Sequence, residues 1–126
     1  MPLLAPISVG ELLDKISILE IKAAAIAVPE KRANITRELA ALNELRRREV
    51  APLPEVDALY SELREVNRHL WDIEDAIRQR EHDGRFDDHF IELARSIYRE
   101  NDRRAVIKRR INDVTGSLIV EEKSYV

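Results

Sequence analysis

An all-α fold is what this sequence predicts: four amphipathic helices, two of them long, in elongated antiparallel helical hairpins with a short extended C-terminal tail. Three observations predict it. Apolar residues recur at alternating steps of three and four along most of the chain. Ala, Leu, Glu and Arg are abundant and only three glycines occur, Gly10, Gly84 and Gly116, which favours helix over strand. Prolines and capping residues fall between the periodic runs rather than inside them.

Residues 1–8 are an apolar leader that Pro2 and Pro6 keep extended. Ser8-Val9-Gly10-Glu11 reads as a capping box, with Ser8 at the N-cap, Glu11 at N3 and Ile7 and Leu12 as a hydrophobic staple. The first helix is expected over 9–28. One apolar row is Val9, Leu12, Ile16, Leu19, Ala23 and Ile26; a second is Ile18, Ile21, Ala25 and Val28. A helix apolar on two faces is either central or in contact with another subunit. Pro29 disfavours helix at Val28 and ends this one.

The second helix is expected over 30–49, on a thinner stripe of Ile35, Leu39, Leu42 and Leu45, before Pro52 and Pro54 interrupt. The third, over 54–82, carries Val56, Leu59, Leu63, Val66, Leu70, Ile73 and Ile77, a heptad seam without a miss. After the turn at His82-Asp83-Gly84-Arg85, the fourth is expected over 87–115. Asp87 is its N-cap, Phe86 and Ile91 a second staple, and Gly116 its C-cap. Its seam runs Phe86, Phe90, Leu93, Ile97, then Glu100 and Arg104, then Ile107, Ile111 and Val114. The tail 117–126 is expected as an arm over the helices, with edge-strand pairing to another chain as the alternative. The whole, 1–126, reads as one helical domain.

Helices of this length reach about 43 Å, beyond the roughly 36 Å diameter of a compact sphere of the same chain. The molecule is therefore elongated, or its helices pack in an oligomer. With the double face of the first helix, this makes a homodimer the expected state.

Composition narrows the chemistry. There is no cysteine, which excludes disulfides, thiolate metal sites and cysteine nucleophiles. Three scattered glycines exclude a phosphate-binding loop and a dinucleotide fingerprint. No apolar run spans a bilayer and no signal pattern opens the chain, so a cytoplasmic protein with no membrane partner is expected. No cofactor is implied. His69, His82 and His89 lack ligand spacing, and Asp72 with Asp75 reads as an acidic face, so no metal is expected. The net charge of −3 argues against a general nucleic-acid binder, although Arg99 to Arg110 form a locally basic stretch. Of the 21 basic residues 16 are arginine, the side chain suited to bidentate pairing with carboxylates and phosphates.

The informative signal is polar residues on apolar seams. In an antiparallel hairpin turning near Gly84, facing residue numbers add to about 167. Asn67 then lies beside Glu100 and Asn101, and Leu63 faces Arg104. A mid-hairpin cluster of Asn67, Glu100, Asn101 and Arg104 is expected, with Glu100 and Arg104 in the favoured i, i+4 order and Lys108 one turn on. Buried charges need partners, so a self-satisfied network or a small anionic ligand must complete it. On the first helix Asp14, Lys15, Ser17, Glu20 and Lys22 thread between the apolar faces. They read as a solvated stripe, from which Glu20 borders the seam and is a candidate to join the cluster.

Several strings stand out together: Gly10-Glu11-Leu12-Leu13-Asp14-Lys15-Ile16, Leu70-Trp71-Asp72-Ile73-Glu74-Asp75 and Glu121-Glu122-Lys123-Ser124-Tyr125. The combination resembles a family of short bacterial helical proteins of unknown function, over essentially the whole chain. The resemblance implies a helical fold and brings no activity, so catalytic residues stay unassigned. A more distant likeness, over Leu63-Arg64-Glu65-Val66-Asn67 to Asp75, is to the small all-α chorismate mutases, and no site residue is carried over from it.

Three functions follow as expectations. The first is a binding or oligomerisation protein for a protein partner or a small anionic metabolite. The second is a small all-α enzyme in which Arg104 and Lys108 hold an anion while Glu100 or Glu20 is acid or base. The third is a nucleic-acid accessory using residues 99–110.

Overall fold

The computed structural model describes residues 2–123. It contains four α-helices: α1 (Val9–Ala25), α2 (Pro29–Glu49), α3 (Pro54–His82) and α4 (Asp88–Thr115). Among the described residues there is no strand. The tail residues 117–123 carry neither helix nor strand and bend at Leu118, while 124–126 of the expected arm, and Met1 of the leader, lie outside the described residues.

The capping residues act as the physics of helix ends requires, although the Glu11 carboxylate pairs with Lys108 and Lys15 instead of closing the expected capping box on the Ser8 N–H. Ser8 adopts extended backbone and its hydroxyl accepts the Glu11 N–H at 3.0 Å. Asp87 does the same for the Phe90 N–H at 3.1 Å, so α4 begins at Asp88. Pro29 and Pro54 open α2 and α3, where a missing N–H costs nothing. Gly116 closes α4 in the left-handed region at φ 66°, which a side chain would resist.

Three boundaries differ from the expected ones: α2 starts one residue earlier, α4 one residue later, and α1 ends three residues earlier. The first helix stops at Ala25 rather than 28, with Ile26 already extended. Because α2 starts at Pro29 itself, residues 26–28 must reverse the chain alone, and a helical Ile26 would leave no room for that turn.

The two hairpins pack through α1. Leu12, Leu13 and Ile16 of α1 join Val56, Leu59, Leu63 and Val66 of α3 and Ile107 and Ile111 of α4 in one core. Leu39, Leu42 and Leu45 of α2 pack against its edge. Helix α2 packs along α1, and Ile21 of the second apolar row is buried, as is Ile35 of α2; Ile18 of that row is half-buried, and Ala25 and Val28 are exposed. The helix is central, packing against α2, α3 and α4 of the same chain.

In the hairpin of α3 and α4, Arg80 pairs with Asp87 at 3.1 Å near the turn, and His69 lies 3.4 Å from Glu100 further down. These pairs match the expected antiparallel register. Helix α1 crosses this hairpin. Its first turn meets α4, where the Gly10 N–H donates to Asn112 Oδ1 at 2.7 Å. Its later part reaches α3, where Glu20 accepts from Arg64 at 2.5 Å.

Candidate functional site

The polar centre of the molecule is built around Asp14, whose side chain is 1% exposed. It sits in the second turn of α1, where that helix crosses both α3 and α4. Arg104 of α4 clamps it with two bonds: Nε donates to Oδ1 at 2.9 Å and Nη2 donates to Oδ2. Asn67 of α3 donates through Nδ2 to Asp14 Oδ1 at 2.9 Å and to Ser17 Oγ at 2.7 Å. The Ser17 hydroxyl in turn donates to the Asp14 carbonyl at 2.8 Å. Lys108, one turn beyond Arg104, donates to Glu11 at 2.6 Å and lies 3.8 Å from Asp14 Oδ2. Three helices are thus tied by a single carboxylate. Among the described residues no buried side-chain nitrogen or oxygen lacks a partner.

Burial alone would push the Asp14 carboxyl up. The bonds from Arg104 and Asn67, with the charges of Arg104 and Lys108, outweigh it and hold the group below its ordinary value. The same bond raises Arg104 further above its already high value. Asp14 is therefore a fixed anion. Because its folded value is depressed, its contribution is fully present above the unfolded carboxylate value near 4 and is lost as pH falls through the folded one. Urea unfolding at a series of pH values below about 4 should show wild-type stability falling more steeply than that of Asp14→Asn. Equal acid slopes in the two proteins would mean that Asp14 is not the group being titrated.

The expected cluster is brought together in part. Asn67, Arg104, Asn101 and Lys108 do converge, with Arg104 Nη1 3.4 Å from Asn101 Oδ1. Asn67, Arg104 and Lys108 meet on Asp14, and Asn101 joins them through Arg104; Glu100 is not their partner. Glu100 faces another way, toward His69 and Arg103 at 3.4 Å each, and makes no bond with Arg104. Glu20 stays apart from the cluster: it accepts from Tyr60 and Arg64, forming a second tie between α1 and α3. Burial, first, and the Glu20 carboxylate then push the Tyr60 hydroxyl well above its ordinary range. Arg46 of α2 lies over the Tyr60 ring at 4.5 Å from its centre.

Asp14, Ser17 and Glu11 are the members that a solvated-stripe reading of the first helix conceals. A usable signal was present. Gly10 and Ser17 are small residues seven apart on one face, flanking Asp14, as expected where a helix meets its neighbours closely.

Beside this centre lies an open groove of about 530 Å³. Ile18 of α1 bounds it on one side; Leu70 and Trp71 form its apolar wall, and Asn101 and Arg104 its polar end. Glu74, Asp75 and Arg78 line the opposite end. Arg104 has five N–H donors. Three are used in the bonds to Asp14 and Asn101, and two have no protein partner among the described residues.

The other chemical readings find less to work with. Asp14, the buried carboxylate at the heart of the cluster, is held ionised rather than protonated. In the basic stretch Arg99 pairs with Glu92, Arg103 with Glu100, Lys108 with Glu11, and Arg109 with Asp113 and Glu122. Most of its charge is therefore neutralised before a phosphate backbone could meet it. No described helix is long and apolar enough to cross a membrane.

No curated protein and no solved structure matches the chain. The model of a family of unknown function, DUF6165, matches residues 3–126, which takes in all four helices and the tail, and the chain belongs to that family.

Proposed function

We propose that the protein is a binding module that takes a small anionic ligand with a flat apolar body in the groove beside Arg104. The observation that carries this reading is the pair of uncommitted Arg104 donors at the end of a groove walled by Trp71 and Leu70. Arg104 is held rigidly by Asp14, so its outward edge is preorganised. A ligand phosphate or carboxylate there gains charge-assisted bonds without having to order the side chain. Asn101 supplies a further amide to the same end. Trp71 supplies the face for an aromatic or cyclic body. At the far end two carboxylates, Glu74 and Asp75, outnumber Arg78 and leave a net negative charge, so a monoanionic or singly phosphorylated compound suits the groove better than a polyanion.

The test is a thermal-shift titration with phenyl phosphate, benzoate and inorganic phosphate. Phenyl phosphate should raise the melting temperature in the concentration-dependent manner of a native-state ligand, and inorganic phosphate much less. The shift should vanish in Trp71→Ala and in Asn101→Ala, which leave the Asp14–Arg104 pair intact. If none of the three compounds moves the transition at millimolar concentration, or if both variants respond as wild type does, the groove is not the ligand site.

A further inference from the structure

The hydrophobic seam of the hairpin meets two different surroundings along its length. Toward the open end, Leu63, Val66, Ile107 and Ile111 are buried because α1 lies across them. Beyond α1 the same periodicity continues through Leu70, Ile77, Phe90, Leu93 and Ile97, yet each of these is only half-buried. Ile73 is the one fully buried apolar residue in this distal half. Nothing in the sequence pattern changes there; the cover is what stops.

We propose that a second copy of this chain covers the distal half of the hairpin about a two-fold axis, with α3 antiparallel to its counterpart, completing a four-helix bundle. The charges on that face indicate which occupant fits. Glu74 and Arg78 both line the groove, both are exposed, and neither has an ion-pair or hydrogen-bond partner among the described residues. They lie one turn apart on one helix. A two-fold axis passing between them sets each Glu74 against the partner's Arg78, and each Arg78 against the partner's Glu74. A closed two-fold interface requires this kind of self-complementary pattern, whereas an unrelated partner does not.

Size is compatible. The distal half offers about 15 residues of each helix, roughly 22 Å long and two helices wide, or several hundred Å² once corrugation is counted. That falls at the lower end of what specific dimers bury per partner, and predicts a dimer of modest affinity. Two hairpin layers stacked in this way give the ordinary four-helix packing. The groove beside Trp71 opens onto the same face, so the partner would form its missing wall. The dimer does not depend on the ligand reading, and either can fail alone.

Sedimentation equilibrium of the full chain from about 5 to 500 μM tests this, since micromolar association is what a small interface supports. The mass should rise from 14.6 kDa toward twice that value. Glu74→Arg and Arg78→Glu, each at an exposed position, should keep wild-type circular dichroism and weaken association at least tenfold through like-charge contact. The double exchange Glu74→Arg/Arg78→Glu should restore it. A mass of 14.6 kDa at every concentration overturns the proposal. So does a dimer indifferent to both single reversals, a loss that the double exchange fails to recover, or an assembly larger than two chains.

Discussion

Replacing Arg104 with methionine is expected to lower the unfolding free energy by about 3–5 kcal/mol, the cost of stranding a buried charge. The reason lies less in the bond than in what remains without it. Asp14 stays 1% exposed in the middle of three helices, with Asn67 as its neutral donor and Lys108 too far, at 3.8 Å, for a good bond. It must then be ionised in an apolar setting, take up a proton, or draw water into the core. Arg104→Lys should recover only part of the loss, because an ammonium cannot make the two parallel bonds of the guanidinium. The decisive variant is the pair Asp14→Leu/Arg104→Met. Removing both charges together should return stability to within about 1 kcal/mol of wild type, or above it. Urea midpoints of the four proteins measure this. If Arg104→Met alone costs under about 1 kcal/mol, the pair behaves as a surface bridge and the centre described here does not organise the fold.

The same contrast shows which features were legible in the sequence. Most helix ends were, the C-terminus of α1 excepted, because Ser8, Asp87, Pro29, Pro54 and Gly116 act through their immediate neighbours and need no tertiary context. The hairpin register was also legible, because Gly84 marks the turn and a seven-residue seam leaves one alignment, which places Asn67 and Arg104 at one depth. Asp14 was not. Whether a short carboxylate within a mixed stripe faces water or the core depends on how α1 is rotated against α3 and α4, and two apolar rows on one helix leave that rotation undecided. For the same reason Glu20, which borders the seam just as closely, took a different partner in Tyr60. Glu100 and Arg104 are four apart, yet a bidentate bond to buried Asp14 outcompetes an i, i+4 helix pair worth a few tenths of a kcal/mol.

Rotation of α1 is itself set by Gly10, and Gly10→Ala should destabilise the protein by about 1–3 kcal/mol, as overpacking at a close helix contact does. The sign is the informative part, because glycine to alanine inside a helix ordinarily gains about 0.5–1 kcal/mol. A methyl group on Gly10 would lie 2.6 Å from the Lys108 carbonyl oxygen and 2.9 Å from Asn112 Oδ1. The first of these is helix backbone and cannot swing aside, so α1 must move away from α4. That movement lengthens the Gly10–Asn112 bond and, one turn on, loosens Lys108 on Glu11 and Arg104 on Asp14. The loss should therefore grow with side-chain size through Gly10→Val, and each variant should show a shallower acid slope as the Asp14 clamp relaxes. Urea midpoints at neutral and acid pH give both quantities. A Gly10→Ala protein more stable than wild type would mean that α1 and α4 do not approach this closely, and the crossing that presents Asp14 to Arg104 would have to be redrawn.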